Sequence, residues 1–370
     1  GIGVLCCSSA WGGLEMNALR LAGWVADRGR QVTVLCDPAS PLGRAAASMG
    51  LQVRELISTY KYGDFSNARR IARICREDGI GYVMSTEGRD LLLMVLAKKF
   101  ARSRFKFLHL QQMHVGGFKK DFFHTWEYRH LDAWIAPLPM YRARILEATR
   151  LTPEKVHVIN LAIEIDRLLD SLPTKAEARE QLDLPKEATI VGTVGRLDTK
   201  KGQDDTIEAV ATLRTEGHNL HALFVGDRTV GATDEFENRL DARIEELGIG
   251  DCVHFRPFMK DVSVAYSAMD IFGMTTHSET YGMVTVEAMT CGLPVVGSRD
   301  GGTLQLIDDG RTGLHFTPQD SGDLTAKLGA MVRDPDLAKQ LGENAALEAR
   351  KRFGHDIETD AFLKLIDGLG

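Results

Sequence analysis

The sequence predicts an α/β protein built as two parallel-sheet domains facing across a cleft, and three observations lead there. Both halves of the 370 residues alternate short apolar, β-branched runs with amphipathic helical stretches. Turn residues follow each run, as a sheet covered by helices on both faces requires. The alternation lapses once, near residues 162–187, and then restarts, leaving two segments of ordinary domain size.

Ile2–Cys7 reads as the first strand, ending in Ser-Ser-Ala-Trp-Gly-Gly, with a helix over Glu15–Arg28 after it. Gln31–Cys36 is β-branched and apolar and stops at Asp37-Pro38. Further strands read at Tyr82–Ser85, Lys106–Gln112, Ala133–Pro137 and Val156–Asn160. Ala162–Pro185 is charged, holds two prolines and has no strand signal. The second series runs Ala188–Gly195, Leu220–Gly226, Cys252–Phe255, Asp270–Met274 and Leu293–Gly297. The expected domains are 1–165 and 166–352, with a terminal helix over 353–370 packing back on the first. A cleft between two such domains is the usual place for a ligand.

Composition narrows the class. Charged residues at 26% and hydrophobic ones at 44% exclude wholesale disorder. Uncharged stretches such as Gly1–Leu14 (14 residues) and Ala288–Ser298 (11) fall short of the roughly 18–20 apolar residues of a membrane helix. No basic-then-apolar leader opens the chain, and the missing Met at position 1 points to trimming or a tag remnant. Six scattered cysteines form no C-x-x-C pair and no zinc spacing, which points to a reduced, cytoplasmic setting. The net charge of −6 conceals an asymmetry: 23 basic against 14 acidic residues through position 160, then 22 against 37. Opposite charge in the two halves points to different partners.

Three segments carry chemistry. After Cys7, Gly12 and Gly13 open a helix where backbone amides can approach a phosphate, although a plain tight turn has the same signature. It is not a G-x-G-x-x-G fingerprint, which counts against a dehydrogenase. Val194–Gly202 (VGRLDTKKG) follows the first strand of the second half. It puts Arg196 at a strand's carboxyl end and Lys201 just before a helix near Gln203, two cations suited to a diphosphate. No Walker loop is present, and solvated cations are the ordinary alternative. His277–Val296 places Glu279 before a helix that opens at Gly282 and Glu287 inside it, eight residues or about 2.2 turns apart. Amides of Met283, Val284 and Thr285 would be free there for an anion. A helix capped by Ser278 or Thr280, with Glu287 on a wet face, fits the same residues.

Taken in this order, the three segments make the chain resemble the retaining nucleotide-sugar glycosyltransferases of the GT-B fold, the group 1 or family 4 set. The resemblance rests on W-G-G-L-E, on G-R-L-D-T-K-K-G, and on S-E-T-Y-G-M-V-T-V-E-A-M-T-C-G-L-P-V-V-G-S. It continues through G-G-T-L-Q-L-I-D-D-G-R-T-G-L at Gly301–Leu314 and spans essentially the whole chain, densely in the second half. It implies two Rossmann-like domains and a hexosyl transfer from a nucleotide sugar, UDP-sugar favoured. By that resemblance Arg196 and Lys201 stabilise the leaving diphosphate, Glu279 holds the donor sugar and Glu287 the ribose. Tyr281, Gly282, Met283, Val284 and Thr285 line the phosphate, Gly13 with Gly12 approaches it from the other domain, and Arg256 sits in the strand-end segment beside the base. A histidine after a strand of the first half lies near the donor sugar; His114 fits this better than His109, which falls mid-strand. No D-x-D motif appears, so no metal and no other cofactor is expected. Front-face attack with retention is the implied route, with Glu279 as a nucleophile the lesser alternative.

Departures from the family pattern are Gln305 where glutamate is usual, Tyr281 in place of phenylalanine, and Pro137-Leu138-Pro139 where a serine commonly follows the strand. The basic excess of the first half gathers at Arg69, Arg70, Arg73 and Arg76, and at Lys98, Lys99, Arg102, Arg104 and Lys106 around Phe100 and Phe105, with Lys119 and Lys120 beyond. Such cations with aromatics fit an anionic membrane surface, the phosphates of an acidic acceptor, or simply solvated helix faces. Nucleic acid is not expected, since the chain is acidic overall and has no binding motif. The expected acceptor is a cell-envelope glycan, glycolipid or lipopolysaccharide-type molecule, met in the cytoplasm or at the cytoplasmic face of the inner membrane. A catalytically silent sugar-nucleotide-binding or scaffolding protein on the same fold is the alternative.

Overall fold

The computed structural model describes residues 1–57, 63–102, 104–111, 120–227 and 235–370. They form two compact units, 1–161 with 355–370, and 162–354.

The first unit runs β1 (Ile2–Leu5), α1 (Gly13–Asp27), β2 (Val32–Cys36), α2 (Pro41–Ser48), β3 (Gln52–Glu55), α3 (Phe65–Glu77), β4 (Tyr82–Ser85), α4 (Leu91–Phe100), β5 (Lys106–Leu110), α5 (Phe122–Arg129), β6 (Ala133–Ala136), α6 (Pro139–Ala148) and β7 (Val156–Val158). Its seven strands are parallel in the order β3-β2-β1-β4-β5-β6-β7. β1, β2 and β6 are buried at every position, which is why they read as continuous apolar runs. β3 was not legible, because Gln-Val-Arg-Glu at the sheet edge is half exposed throughout. α3 shows the helical period plainly, burying Ala68, Ile71, Ile74 and Cys75 while its arginines stay outside.

The second unit runs α7 (Ile165–Asp170), α8 (Lys175–Gln181), β8 (Thr189–Val194), α9 (Gln203–Thr215), β9 (Leu220–Val225), α10 (Glu235–Leu247), β10 (Val253–Arg256), α11 (Ser263–Ala268), β11 (Ile271–Met274), α12 (Met283–Thr290), β12 (Val295–Ser298), α13 (Thr303–Leu306), β13 (Leu314–Phe316), α14 (Ser321–Arg333) and α15 (Pro335–Arg352). Six parallel strands take the order β10-β9-β8-β11-β12-β13. The strandless stretch after residue 162 forms α7 and α8. Thr174 and Glu177 cap α8 reciprocally, and its buried Arg179 donates to Asp270 at 2.6 Å. The chain then returns to the first unit with α16 (His355–Gly368), which packs on α1 and sets Asp356 and Asp360 against Arg28.

Each sheet reverses its winding once, between β1 and β4 in one unit and between β8 and β11 in the other. At such a point the two loops leaving the carboxyl ends diverge and open a crevice, where doubly wound sheets take their ligands.

Candidate functional site

The crevice of the second unit lies at the carboxyl ends of β8 and β11, and the second and third motifs supply its two lips. Gly195 and Arg196 leave β8, the chain turns through Asp198, and Gly202 enters α9 with φ of 68°. A Cβ on Gly202 would stand 2.1 Å from the Thr275 carbonyl, so only glycine lets the two lips meet there. Thr275 Oγ1 donates to the Lys201 carbonyl at 3.0 Å, and the His277 amide to Lys200 at 2.8 Å. These bonds hold Lys201 opposite Glu279, and Lys201 Nζ reaches Glu279 Oε2 at 2.9 Å with both side chains only partly exposed.

Glu279 is held from behind as well. Its Oε1 accepts the Thr280 amide at 3.0 Å, and its carbonyl accepts the Gly302 amide at 2.7 Å. A Cβ on Gly301 would lie 2.0 Å from that same carbonyl. The Gly-Gly pair after β12 is therefore a backing plate for the Glu279 backbone. Gln305 follows one turn later, its carbonyl accepting from Arg352 at 3.2 Å.

Gly282, in the left-handed region, caps α12. Among the described residues the amides of Met283 and Val284 have no backbone acceptor, as expected at the first positions of a helix. The Thr285 amide is not free: it donates to the Gly282 carbonyl at 2.9 Å, closing a tight first turn, and the Thr285 side chain is fully buried. That corrects the expectation for Thr285. Buried Tyr281 precedes the turn, and its backbone stands against Gly302. Glu287, one turn into α12, accepts the hydroxyl of buried Tyr266 at 2.7 Å. Burial and that carboxylate push the Tyr266 phenol well up, so it stays a donor.

Arg196 is exposed and has no carboxylate within ion-pair distance among the described residues. Arg256 is placed differently from the expectation. Its guanidinium donates to the Leu182 carbonyl (3.0 Å from Nε), to Asp183 (3.3 Å) and to Phe255 (2.8 Å), satisfying the orphan carbonyls at the end of α8. His114 lies outside the described residues. His109 is buried in β5, edge-on to Trp134, and burial lowers its imidazole to about 4.

The first unit's crevice has other contents. Gly12 caps α1, and its amide donates to Glu15 Oε2 at 2.9 Å. A Cβ on Gly13 would meet nothing within 4 Å, so packing does not demand glycine there. Glu87 and Asp90 stand in the loop after β4 beside Arg89. Burial pushes the Asp90 carboxyl up to about 7, and its Oδ2 has no hydrogen-bond partner among the described residues.

Two groups bring ligand-type atoms within 4.8 Å of one another among the described residues: Cys6 with Glu15 and Glu87, and Asp204 with Asp205 and His277. Burial pushes the Cys6 thiol up to about 11, against its acting as a thiolate ligand. His277 Nε2 stands 3.3 Å from Asp205 Oδ2. The Asp205–His277 contact and the Tyr266–Glu287 bond were both missed in the sequence. Their partners lie 72 and 21 residues apart, joined only by the fold.

Comparison with known proteins places this geometry. Residues 174–348 match the model described as glycosyl transferases group 1, and residues 12–162 match the glycosyl transferase 4-like domain. A D-inositol 3-phosphate glycosyltransferase of Corynebacterium jeikeium is 34% identical over 231 residues, covering 61% of this chain and 54% of that protein. The chain thus spans about half the length of the curated relatives it matches. Among solved structures, a glycosyltransferase from Rickettsia africae aligns over 100% of this chain and 98% of its own, with a TM-score of 0.89 and 19% identity. HepE of Anabaena, solved in complex with UDP, aligns over 99% of both chains at 0.87 and 21%. These likenesses, two parallel-sheet units and two family models that between them reach from residue 12 to 348 agree: the chain belongs to the group 1, family 4 glycosyltransferases and has the GT-B fold.

Proposed function

We propose that the protein is a retaining, metal-independent hexosyltransferase that takes its sugar from a nucleoside diphosphate donor. The Lys201–Glu279 pair at the β8/β11 crevice, beside the open amides of Met283 and Val284, is the observation that carries this reading. A nucleoside diphosphate leaving group gathers negative charge as the glycosidic bond breaks. Lys201, Arg196 and the α12 amino terminus form a fixed cationic wall that stabilises it, the role a divalent ion fills elsewhere. Donor phosphate competes for Lys201, and a sugar hydroxyl takes the place of the ammonium on Glu279 Oε2. The carboxylate, pinned through Oε1, then orients the sugar without moving. Glu287, steadied by Tyr266, is placed for the vicinal hydroxyls of a ribose. With no second free carboxylate assigned to the sugar, front-face attack fits better than a covalent glycosyl-enzyme.

UDP is the nucleotide HepE carries in its solved complex, and it is the first to try here. For the acceptor we propose a hydroxyl-bearing glycan or lipid-linked glycan of the cell envelope. A lipopolysaccharide outer core galactosyltransferase shares the fold with a TM-score of 0.75 and 16% identity. No described helix is long and apolar enough to cross a membrane, and all six cysteines are unpaired, which supports a cytoplasmic setting.

The test is thermal stability with UDP, GDP, ADP and CMP, each with and without EDTA. Saturation at about 100 times the dissociation constant adds about 2.7 kcal/mol to the folded state, a clear melting shift. The expected result is a shift with one nucleotide that EDTA leaves intact, followed by anomeric retention in the product by NMR. A shift that EDTA abolishes would overturn metal independence. No shift with any nucleotide would put a silent scaffold in place of the enzyme.

A further inference from the structure

The lips of the second crevice share a contact that the donor chemistry leaves unused. His277, on the β11 lip, stands 3.3 Å from Asp205 in the first turn of α9, Nε2 to Oδ2. Both atoms are shielded from water, and neither has a hydrogen-bond partner elsewhere among the described residues. A shielded polar atom without a partner is costly, so each of the two depends on the other. A carboxylate only accepts, so the imidazole supplies the proton between them. The ordinary reason for an acid in a first turn is the helix dipole. That suffices for Asp204, whose side chain is 39% exposed. It does not suffice for Asp205, which is 15% exposed, and whose carboxyl is pushed above the usual range by burial and by Asp204. A place that disfavours negative charge holds an acid, and the acid faces a histidine two residues before Glu279.

The place of the contact explains its use. The carbonyls of Lys200 and Lys201 accept from the His277 amide and the Thr275 hydroxyl, which fixes the β11 lip as far as residue 277. Beyond that point Glu279 is drawn toward α9 by its own ion pair with Lys201. Donor binding, on the reading above, takes that ion pair apart. Asp205 sits about one helical turn past Lys201 and has no part in the exchange. Its contact with His277 persists, and it sets the direction in which the chain leaves residue 277 for Glu279.

We propose that Asp205 and His277 are positioning residues that keep Glu279 aligned with the donor sugar once Lys201 has turned to the phosphate. The assignment rests on the transferase reading above and ties the pair to recognition of the sugar, not of the nucleotide. The free protein keeps its Lys201–Glu279 pair, so loss of the contact is felt in the sugar-bound complex.

The test is calorimetric titration of the full chain with UDP, GDP and ADP and with their hexosyl conjugates (UDP-glucose, UDP-galactose, GDP-mannose and ADP-glucose). EDTA belongs in every buffer, because Asp204, Asp205 and His277 bring ligand-type atoms within 4.8 Å of one another. For the conjugate that wild type binds, His277→Ala should weaken affinity about fivefold, the usual coupling of one side-chain contact, and its bare nucleotide by less than about twofold. Asp205→Ala should do the same and keep its fold, since it also relieves the repulsion from Asp204. The double variant should bind no worse than either single one, because both changes remove the same contact. Asp205→Asn still accepts from the imidazole and should return sugar affinity to near the wild-type value. Equal weakening of nucleotide and conjugate would make the pair a general brace and overturn the proposal, as would wild-type affinity in both alanine variants. A wild type that binds none of the conjugates sinks the transferase reading itself and takes this assignment with it.

Discussion

The two crevices share a topology and differ in charge, and in each the local charge opposes that of its own half of the chain. The first half is rich in arginine and lysine, yet among the described residues its β1/β4 crevice gathers Glu15, Glu87 and Asp90, with Arg89 beside the last two. The second half is acidic, yet its β8/β11 crevice offers Arg196, Lys201 and an open helix amino terminus around Glu279. Regional net charge reports on the outer helix faces, where most charged side chains stand. The ligand's charge is set by the handful of residues in two loops. Among the described residues, cations line the second crevice and carboxylates the first.

The sharpest way to break that contrast is to remove the cation. Lys201→Ala should cut turnover by about 10²–10³, the usual loss when one stabiliser of a developing anion is deleted, or about 3–4 kcal/mol. Its melting temperature should barely move, because the ion pair is partly exposed. Steady-state kinetics decides it: a rise in KM with kcat unchanged would show Lys201 to be a uniform binder and not a stabiliser of the leaving group.

The acidic crevice is read by pH. The Asp90 carboxyl ionises near 7 in the folded protein and near 3.8 when unfolded, because burial and Glu87 disfavour its charge. The folded state therefore holds a proton that the unfolded state has released. Its contribution is greatest below about pH 4, declines as pH rises to about 7, and is level beyond. Asp90→Asn should remove that slope and gain about 3 kcal/mol over wild type at pH 8. His109 drifts the other way, losing stability as pH falls from 6.5 towards 4, but it is common to both proteins and cancels in their difference. Parallel stability curves for the two would sink the assignment.

What was legible in the sequence follows from where its signals live. Strands buried on both faces announced themselves to within a residue or two, because they are mostly apolar, with only scattered buried polar residues such as Thr33 and His109. β3 and β13 did not: β3 is a polar Gln-Val-Arg-Glu with half of it exposed, and β13 is only three residues long, whereas the edge strands β7 and β10 kept enough apolar residues to be read. Arg196, Lys201 and Glu279 could be placed at the ends of β8 and β11 because glycines mark the loops they sit on, and Glu287 inside α12 because Gly282 opens that helix. Arg256 was misplaced because adjacency to a strand end does not say which way a long side chain runs, and the end of α8 claimed it. Thr285 was misplaced because the tightness of a first turn is not written in its residues.

A smaller effect probes the support behind Glu279. Gly301→Ala would set a Cβ 2.0 Å from the Glu279 carbonyl at a φ of 55°, so the loop must shift. About 2 kcal/mol of stability should be lost, and nucleotide-sugar affinity with it. A variant that melts normally and binds normally would remove the backing-plate role.

The finest test concerns Glu287. Tyr266→Phe deletes one hydroxyl at a fully buried position and leaves the packing intact. Glu287 then loses the Tyr266 hydrogen bond that steadies it before a ribose reaches it. The cost should be about 1 kcal/mol, the net worth of one such hydrogen bond, seen as a KM for the donor raised about fivefold at unchanged kcat. A deoxyribose donor sharpens the reading. If Glu287 grips the ribose hydroxyls, wild type should lose affinity for that donor, and Tyr266→Phe should lose little more, since both changes remove the same interaction. Independent, additive losses would place Glu287 elsewhere on the ligand and leave the tyrosine as packing alone.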